Sequence, residues 1–344
     1  MADLTRALAD LRGADGAEYG GKSSALGELI AGGIPVPPGF AVSTAAYRGF
    51  VGEAGLGSMI ETSMAQVAPE DVDSVGAASH RIAEAMRSAP VPDALAEEIA
   101  RRYAELGEPP VAVRSSALGE DSQEATFAGQ QETYLWVRGA DHVCDAVRDC
   151  WISLFSPPAI TYRARLGSGG ETAMGVAVQT MVDAEVSGVM FTCNPVSSDP
   201  SMVAINASWG LGLAVVGGEV TPDDWLVSKV TREVVREHVH AKEIEYVPDA
   251  AGHGAVRREV PVERREVACL DAAALEALVE IGRRVEAHFG SVQDIEWAIA
   301  RDGELFVLQS RPVTAGTRRR EAKPASGLSL IMSTFGAGNR NASE

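Results

Sequence analysis

Helices and strands fall into separate blocks along this chain, and that segregation constrains its fold more than any single motif. Residues 44 to 106 read almost wholly as helix, with the clearest period from Asp93 to Leu106. Pro109-Pro110 ends the run, and Val111-Ala-Val113 opens as a short strand. Strands then dominate: Glu132 to Val137, Met174 to Val182, Gly188 to Thr192, Val203 to Ala207 and Trp225 to Val230. One long helix, Asp141 to Arg165, interrupts them, with a break at Pro157-Pro158. Asp271 is placed to cap a helix Ala272 to Phe289. Two strands follow, Ile295 to Ala300 and Leu305 to Gln309, turning at Arg301-Asp302-Gly303. Such blocks indicate an α+β fold.

Before residue 44, Leu4 to Leu11 reads as a short helix and Gly13, Gly16, Gly20 and Gly21 mark a loop. Ser23 to Ala31 has a helical pattern that Gly32-Gly33 stops. Residues 34–39 form an extended, proline-stiffened connector. The stretch 238–267 is polar and carries no clear period. After Thr314 the chain turns basic and then rich in Gly, Ser and Asn, so 315–344 reads as a tail or linker. At about 150 residues per domain the length suggests two lobes. We place them at 1–170 and 171–314.

The formal charge of -18 opposes binding to nucleic acid or an anionic membrane surface. Any anionic ligand therefore needs a local positive site, and the few well-placed Lys and Arg residues become informative. The four cysteines show no C-x-x-C spacing, which points to reduced core thiols and a cytoplasmic setting. Residues 1–11 lack the apolar core of a signal peptide, and no stretch approaches the roughly 20 apolar residues of a membrane span. The six histidines have neither metal-site nor nucleophile-triad spacing and read as structural or solvated.

Four segments carry chemistry. Gly16-Ala-Glu-Tyr-Gly-Gly21-Lys22-Ser23 fits the P-loop pattern formally, but no apolar strand precedes it. Its simpler content is a pair of glycines that admit an anion, with Lys22 at a helix N-terminus. A surface loop with a solvated lysine is the plainer alternative. Arg114-Ser115-Ser116 ends a strand with a guanidinium and two hydroxyls, a set suited to phosphate, and Thr126-Phe-Ala-Gly129 reads as a small-residue loop able to close over it. Asp294 and Glu296, two apart on a strand, face one side, and the next strand can set Gln309 beside them. Two carboxylates and an amide oxygen suit Mg²⁺ with bound phosphates, and Arg311 could pair with the phosphates. An exposed hairpin face would look similar. Residues 178–182 and 187–192 read as strand, polar turn and strand, either an adenine edge or simple sheet core.

Taken together, these blocks resemble one family. Gly20-Gly-Lys22-Ser-Ser-Ala-Leu-Gly27-Glu, Val36-Pro-Pro-Gly-Phe-Ala41, Val111-Ala-Val-Arg-Ser-Ser116, Phe127-Ala-Gly-Gln-Gln-Glu-Thr-Tyr134, Cys150-Trp-Ile-Ser-Leu-Phe155, Ser187-Gly-Val-Met-Phe-Thr192, Trp209-Gly-Leu-Gly212 and Gln309-Ser-Arg-Pro312 occur in the order seen in the ATP-binding domain of phosphoenolpyruvate synthases, pyruvate phosphate dikinases and rifampin phosphotransferases. The resemblance implies an ATP-grasp-like fold, two lobes with the nucleotide between them, and a phosphotransferase using ATP and Mg²⁺. By position, it implies that Lys22 and Arg114 hold the ATP phosphates and that Gly129 to Thr133 covers them, with Thr133 a phosphate contact. It also implies that Gln179, Met181 and Val182 border adenine, that Glu296 and Gln309 hold Mg²⁺ with Asp294 close by, and that Arg311 contacts phosphate.

In that family the β-phosphoryl group of ATP passes to a histidine on a swivelling domain, releasing AMP and phosphate, and a further domain binds the acceptor. No Gly-rich Thr-Ser-His segment occurs in this sequence, and 315–344 is too short to be such a domain. Either a separate histidine-bearing partner supplies that domain, or this chain transfers phosphate directly, or it only binds nucleotide. A nucleotide-binding regulatory module without turnover, and a P-loop ATPase or kinase, are the other readings.

Overall fold

The computed structural model describes residues 3–117, 133–166, 172–249, 252 and 254–313. They form two compact units, Met1–Gly27 with Pro38–Met181, and Glu28–Pro37 with Val182–Glu344. The expected tail, 315–344, lies outside the described residues.

The first unit is built on a five-stranded antiparallel sheet of order β1-β2-β5-β3-β4. In chain order it contains β1 (Thr5–Ala7), α1 (Gly16–Tyr19), α2 (Gly21–Ala31, shared with the second unit), β2 (Gly39–Val42), α3 (Thr44–Glu53), α4 (Gly57–Ala65), α5 (Val72–Ser88), α6 (Asp93–Glu105), β3 (Val111–Ala117), β4 (Thr133–Val137), α7 (Ala140–Ser153), α8 (Pro157–Leu166) and β5 (Met174–Thr180). Strand alternation turns Phe40, Val42, Val111, Val113, Val176 and Val178 to one face. There they join a core with Phe50, Ile99, Tyr103 and Trp151 from the helices. Trp151 stacks on Phe50 at 5.4 Å between centroids, and its indole N–H donates to Met174 O at 3.1 Å. The helix expected over 141–165 is broken where expected, and Pro157 opens α8 at a position where a missing N–H costs nothing.

The second unit carries a six-stranded antiparallel sheet of order β13-β12-β6-β7-β8-β9. Its elements are β6 (Ala184–Phe191), β7 (Met202–Trp209), α9 (Leu213–Val216), β8 (Asp223–Ser228), β9 (Val234–His238), the hairpin β10 (Ile244–Pro248) and β11 (Ala255–Glu259), α10 (Val262–Arg265), α11 (Ala272–Phe289), β12 (Gln293–Ala300) and β13 (Leu305–Pro312). Helix α11 starts at its expected cap, where Asp271 accepts from Ala274 N at 2.8 Å, and ends at Gly290 with φ +69°. It lies against the sheet face that includes Met190. A Cβ at Gly282 would meet Met190 Sδ and Thr192 Cγ2 at 3.5 Å, ordinary contact distance, which places this turn of the helix directly over the sheet.

Four sequence expectations need correction. Leu4 to Leu11 is not an α-helix: Thr5–Ala7 pairs with Val42–Phe40, and one 3₁₀ turn follows. A segment this short has too few turns to form a helix unaided, so a buried sheet edge outcompetes it. The glycine loop at 13–21 contains a 3₁₀ turn and α1. The strands around Asp183 do not form a hairpin, because β5 and β6 belong to different sheets. The boundary set at 170 falls instead after Met181, since β5 pairs with β2 and β3. Residues 28–37 join the second unit because Arg284 donates to Gly33 O at 2.7 Å and Val307 N donates to Pro35 O at 2.8 Å. No helix among the described residues is long and apolar enough to cross a membrane.

Candidate functional site

In the first unit, the sheet face opposite the apolar core carries the candidate polar residues. Registry places Arg114 opposite Thr133 of β4 and Ala177 of β5, and Ala112 opposite Gln179. Arg114 and Gln179 therefore share a face, separated by small neighbours such as Ala112 and Ala177. Arg114 is 9% exposed and Gln179 only 2%, whereas Thr133 is open to solvent at the start of β4. Met181 continues from β5, its N–H donating to Pro110 O at 2.9 Å. Val182, buried, opens the second unit. Gly129 lies outside the described residues.

Helix α2 begins over the same face. Gly20 adopts φ +82° and its carbonyl accepts from Ser24 N at 3.2 Å, so Gly20 is the residue that caps the helix. A side chain there would sit 2.0 Å from Ser116 O, so only glycine fits. Gly175 is as constrained, since a Cβ would lie 2.2 Å from Tyr19 O. Lys22, on the first turn, is 4% exposed, and its ammonium donates to Ser115 O at 2.9 Å. Ser23 N donates to Ser116 Oγ at 3.1 Å. The positive end of α2 and two buried cationic side chains thus belong to one face of a chain that is acidic overall. The sequence had marked the glycine pair as a place where an anion can approach the backbone. It gave no sign that β3 was the approaching strand, because those partners are 93 residues away.

In the second unit, the antiparallel ladder between β12 and β13 sets Asp294 opposite Arg311 and Glu296 opposite Gln309. All four project from one face, while Ile295 and Trp297, both fully buried, project from the other. Arg311 Nε and Nη2 each reach Asp294 Oδ2 at 2.9 Å. Asp294 is 4% exposed, and its Oδ1 is buried with no hydrogen-bond partner among the described residues. Burial pushes its carboxyl up to about 6; Arg311 pulls it down and the Glu296 charge adds to the rise. Beside two further oxygen donors, an unsatisfied carboxylate oxygen fits a hard divalent cation. The donor set passes that test only with the Gln309 amide included. Among the described residues, no group of three or more His, Cys, Asp or Glu side chains could hold a metal.

Residues 17–329 match the family model described as pyruvate phosphate dikinase, AMP/ATP-binding domain. The chain belongs to that family. A protein of Methanocaldococcus jannaschii named "Probable phosphoenolpyruvate synthase" is 41% identical over 89% of this chain and 26% of that protein. One of the same name from Methanothermobacter thermautotrophicus is 40% identical over 92% of this chain and 47% of its own length. The phosphoenolpyruvate synthase of Pyrococcus furiosus is 38% identical over 92% and 45%. The chain thus spans less than half the length of each of these relatives. Among solved structures, D-alanyl-alanine synthetase A from Vibrio cholerae overlaps 71% of this chain and 53% of its own, at 11% identity and a TM-score of 0.30.

Proposed function

We propose that this family member binds Mg·ATP and activates it for phosphoryl transfer, acting as the ATP-handling component of a phosphotransferase. The observation that carries the reading is the paired register of Asp294 with Arg311 and Glu296 with Gln309, which gathers two carboxylates, an amide and a guanidinium on one sheet face. In this reading Lys22, Arg114 and Thr133 hold the phosphates from the first unit. Gln179, Met181 and Val182 border adenine, and Gly129 belongs to the segment that covers the phosphates.

Asp294, Glu296 and Gln309 would hold Mg²⁺, which when bound neutralises charge on the phosphate oxygens. Arg311 has two roles: it balances Asp294, and it offers donors to a phosphate oxygen. Phosphoryl transfer needs little covalent help from a protein, so fixed positive groups around the phosphates supply most of the catalysis. The acceptor in this reading is a histidine on a separate swivelling domain or partner: its nitrogen displaces AMP at the β-phosphorus, water takes the γ-phosphoryl group as phosphate, and the β-phosphoryl group stays on the histidine. The names of the relatives and the order of the motifs support that route.

The test is to incubate the protein with ATP and Mg²⁺, with and without a histidine-bearing partner, and to identify the products. AMP and a phosphorylated partner are expected. ADP as the sole product would refute the β-phosphoryl route. Binding of Mg·ATP with no turnover under any acceptor would favour a regulatory module instead.

A further inference from the structure

Helix α2 takes its N-terminal cap from another part of the chain. The third residue of a helix has an N–H with no partner inside the helix, and the side chain of the capping residue usually accepts from it. Here the capping residue is Gly20, which has no side chain and cannot acquire one, because the carbonyl of Ser116 occupies the space. The acceptor is supplied by the Ser116 hydroxyl, fully buried at the end of β3, 3.1 Å from Ser23 N. The residue before it, Ser115, gives its carbonyl to the Lys22 ammonium. The residue before that is Arg114. Three consecutive residues of one strand thus contact the start of α2, hold Lys22 and present the guanidinium.

We infer that Ser116 is a positioning residue: it sets where α2 begins, and through that it fixes Lys22 relative to Arg114 for gripping phosphate. The inference rests on the reading above in which Lys22 and Arg114 hold the nucleotide phosphates. A Ser116→Ala protein keeps the strand and the glycine contact but leaves the Ser23 N–H without its acceptor. The first turn of α2 then frays, and Lys22 is presented correctly only part of the time.

Calorimetric titration of Mg·ATP and of adenosine into four proteins tests this: wild type, Ser116→Ala, Lys22→Met and the double variant. Ser116→Ala should weaken Mg·ATP about fivefold, the size expected for loss of a cap, and leave adenosine unchanged. In the Lys22→Met background the same change should alter Mg·ATP affinity by less than about twofold, because the group it positions is gone. An equal loss in both backgrounds would overturn the inference, as would wild-type affinity in Ser116→Ala. Loss of adenosine binding along with ATP, or failure to fold, would mark Ser116 as merely structural and overturn it too. If wild type binds no Mg·ATP, or Lys22→Met binds it as well as wild type, the parent reading fails and takes this one with it.

Discussion

Replacing Lys242 with methionine should destabilise the second unit severely. The Lys242 and Asp223 side chains are both fully buried. Asp223 Oδ1 accepts from Lys242 Nζ at 2.5 Å and from His240 N at 2.9 Å, and Oδ2 accepts from Cys269 N at 3.0 Å. Lys242 Nζ also donates to His240 O at 2.7 Å. The pair therefore ties the start of β8 to segments at 240–242 and 269. Methionine fills a similar volume but removes the only cation bonded to that carboxylate among the described residues. Solvent screening is absent, so stranding the carboxylate costs about 3–5 kcal/mol. With a urea dependence of about 2 kcal/mol per molar, the midpoint of the second unit should fall by about 1.5–2.5 M.

Pulsed hydrogen exchange across a urea series reads this by segment. Peptides from 182–249 and 254–313 should lose protection at the lower urea concentration, and those from 38–117 should shift less. The double variant Asp223→Asn, Lys242→Met should cost less than the sum of its single changes, since the buried charge is gone. A Lys242→Met shift below about 0.5 M would refute the argument that this pair needs both charges.

Glu296→Gln and Gln309→Ala should each weaken Mg·ATP about tenfold, the equivalent of ~1.4 kcal/mol, while binding of ATP in EDTA changes little; calorimetry with and without Mg²⁺ checks this. The Glu98 carboxyl is held down to about 2, from 4.5, chiefly by hydrogen bonds from Arg101, with Thr5 adding another. A depressed acid stabilises the fold above its unfolded value and loses that contribution as pH falls through the folded one. The melting temperatures of wild type and Glu98→Gln should therefore differ at pH 7 and converge between about pH 4.5 and 2. All four cysteines are buried, and burial raises the thiols of Cys193 and Cys269 and pushes Cys144 up to about 11. The native protein should react slowly with Ellman's reagent at pH 8, and the urea-unfolded protein should release four equivalents. A fast native equivalent would contradict the buried placement.

The parts of the fold that were legible in the sequence are those whose causes are local. Asp271 and Gly290 bracket α11 because capping chemistry acts within a turn. Arg301-Asp302-Gly303 turns the last hairpin because Gly303 takes φ +88° there. The same-side placement of Asp294 and Glu296 follows from strand alternation alone. What stayed hidden depends on partners distant in sequence. Thr5–Ala7 is a strand only because β2 lies beside it, and β2 itself is four residues long, too short to announce itself. The polar stretch 238–267 conceals the β10–β11 hairpin, whose outward residues are charged and whose pattern therefore lacks an apolar period. Ser116 was visible as a hydroxyl after Arg114. Its hydrogen bond to α2 was not, because nothing in a linear reading brings residue 116 to residue 23.

The β12–β13 ladder steps from Glu296–Gln309 to Trp297–Val307, so β13 spends one additional residue, Leu308, at that point. A one-residue slip of an ordinary hairpin carries every side chain to the opposite face. Here the bulge separates two registers. The open end is fixed by Arg311 on Asp294 and by Val313 N on Val292 O at 2.9 Å. The closed end is held as well, by β6 through Ala300 against Ala184, by Val307 N on Pro35 O at 2.8 Å and by Arg301 on Asp183 at 3.3 Å. Asp302 and Gly303 lie beyond those holds, so descendants of this sequence can vary at the tip while the four polar side chains keep their facing. Variation at the tip and constancy at the open end is the pattern of drift this hairpin permits.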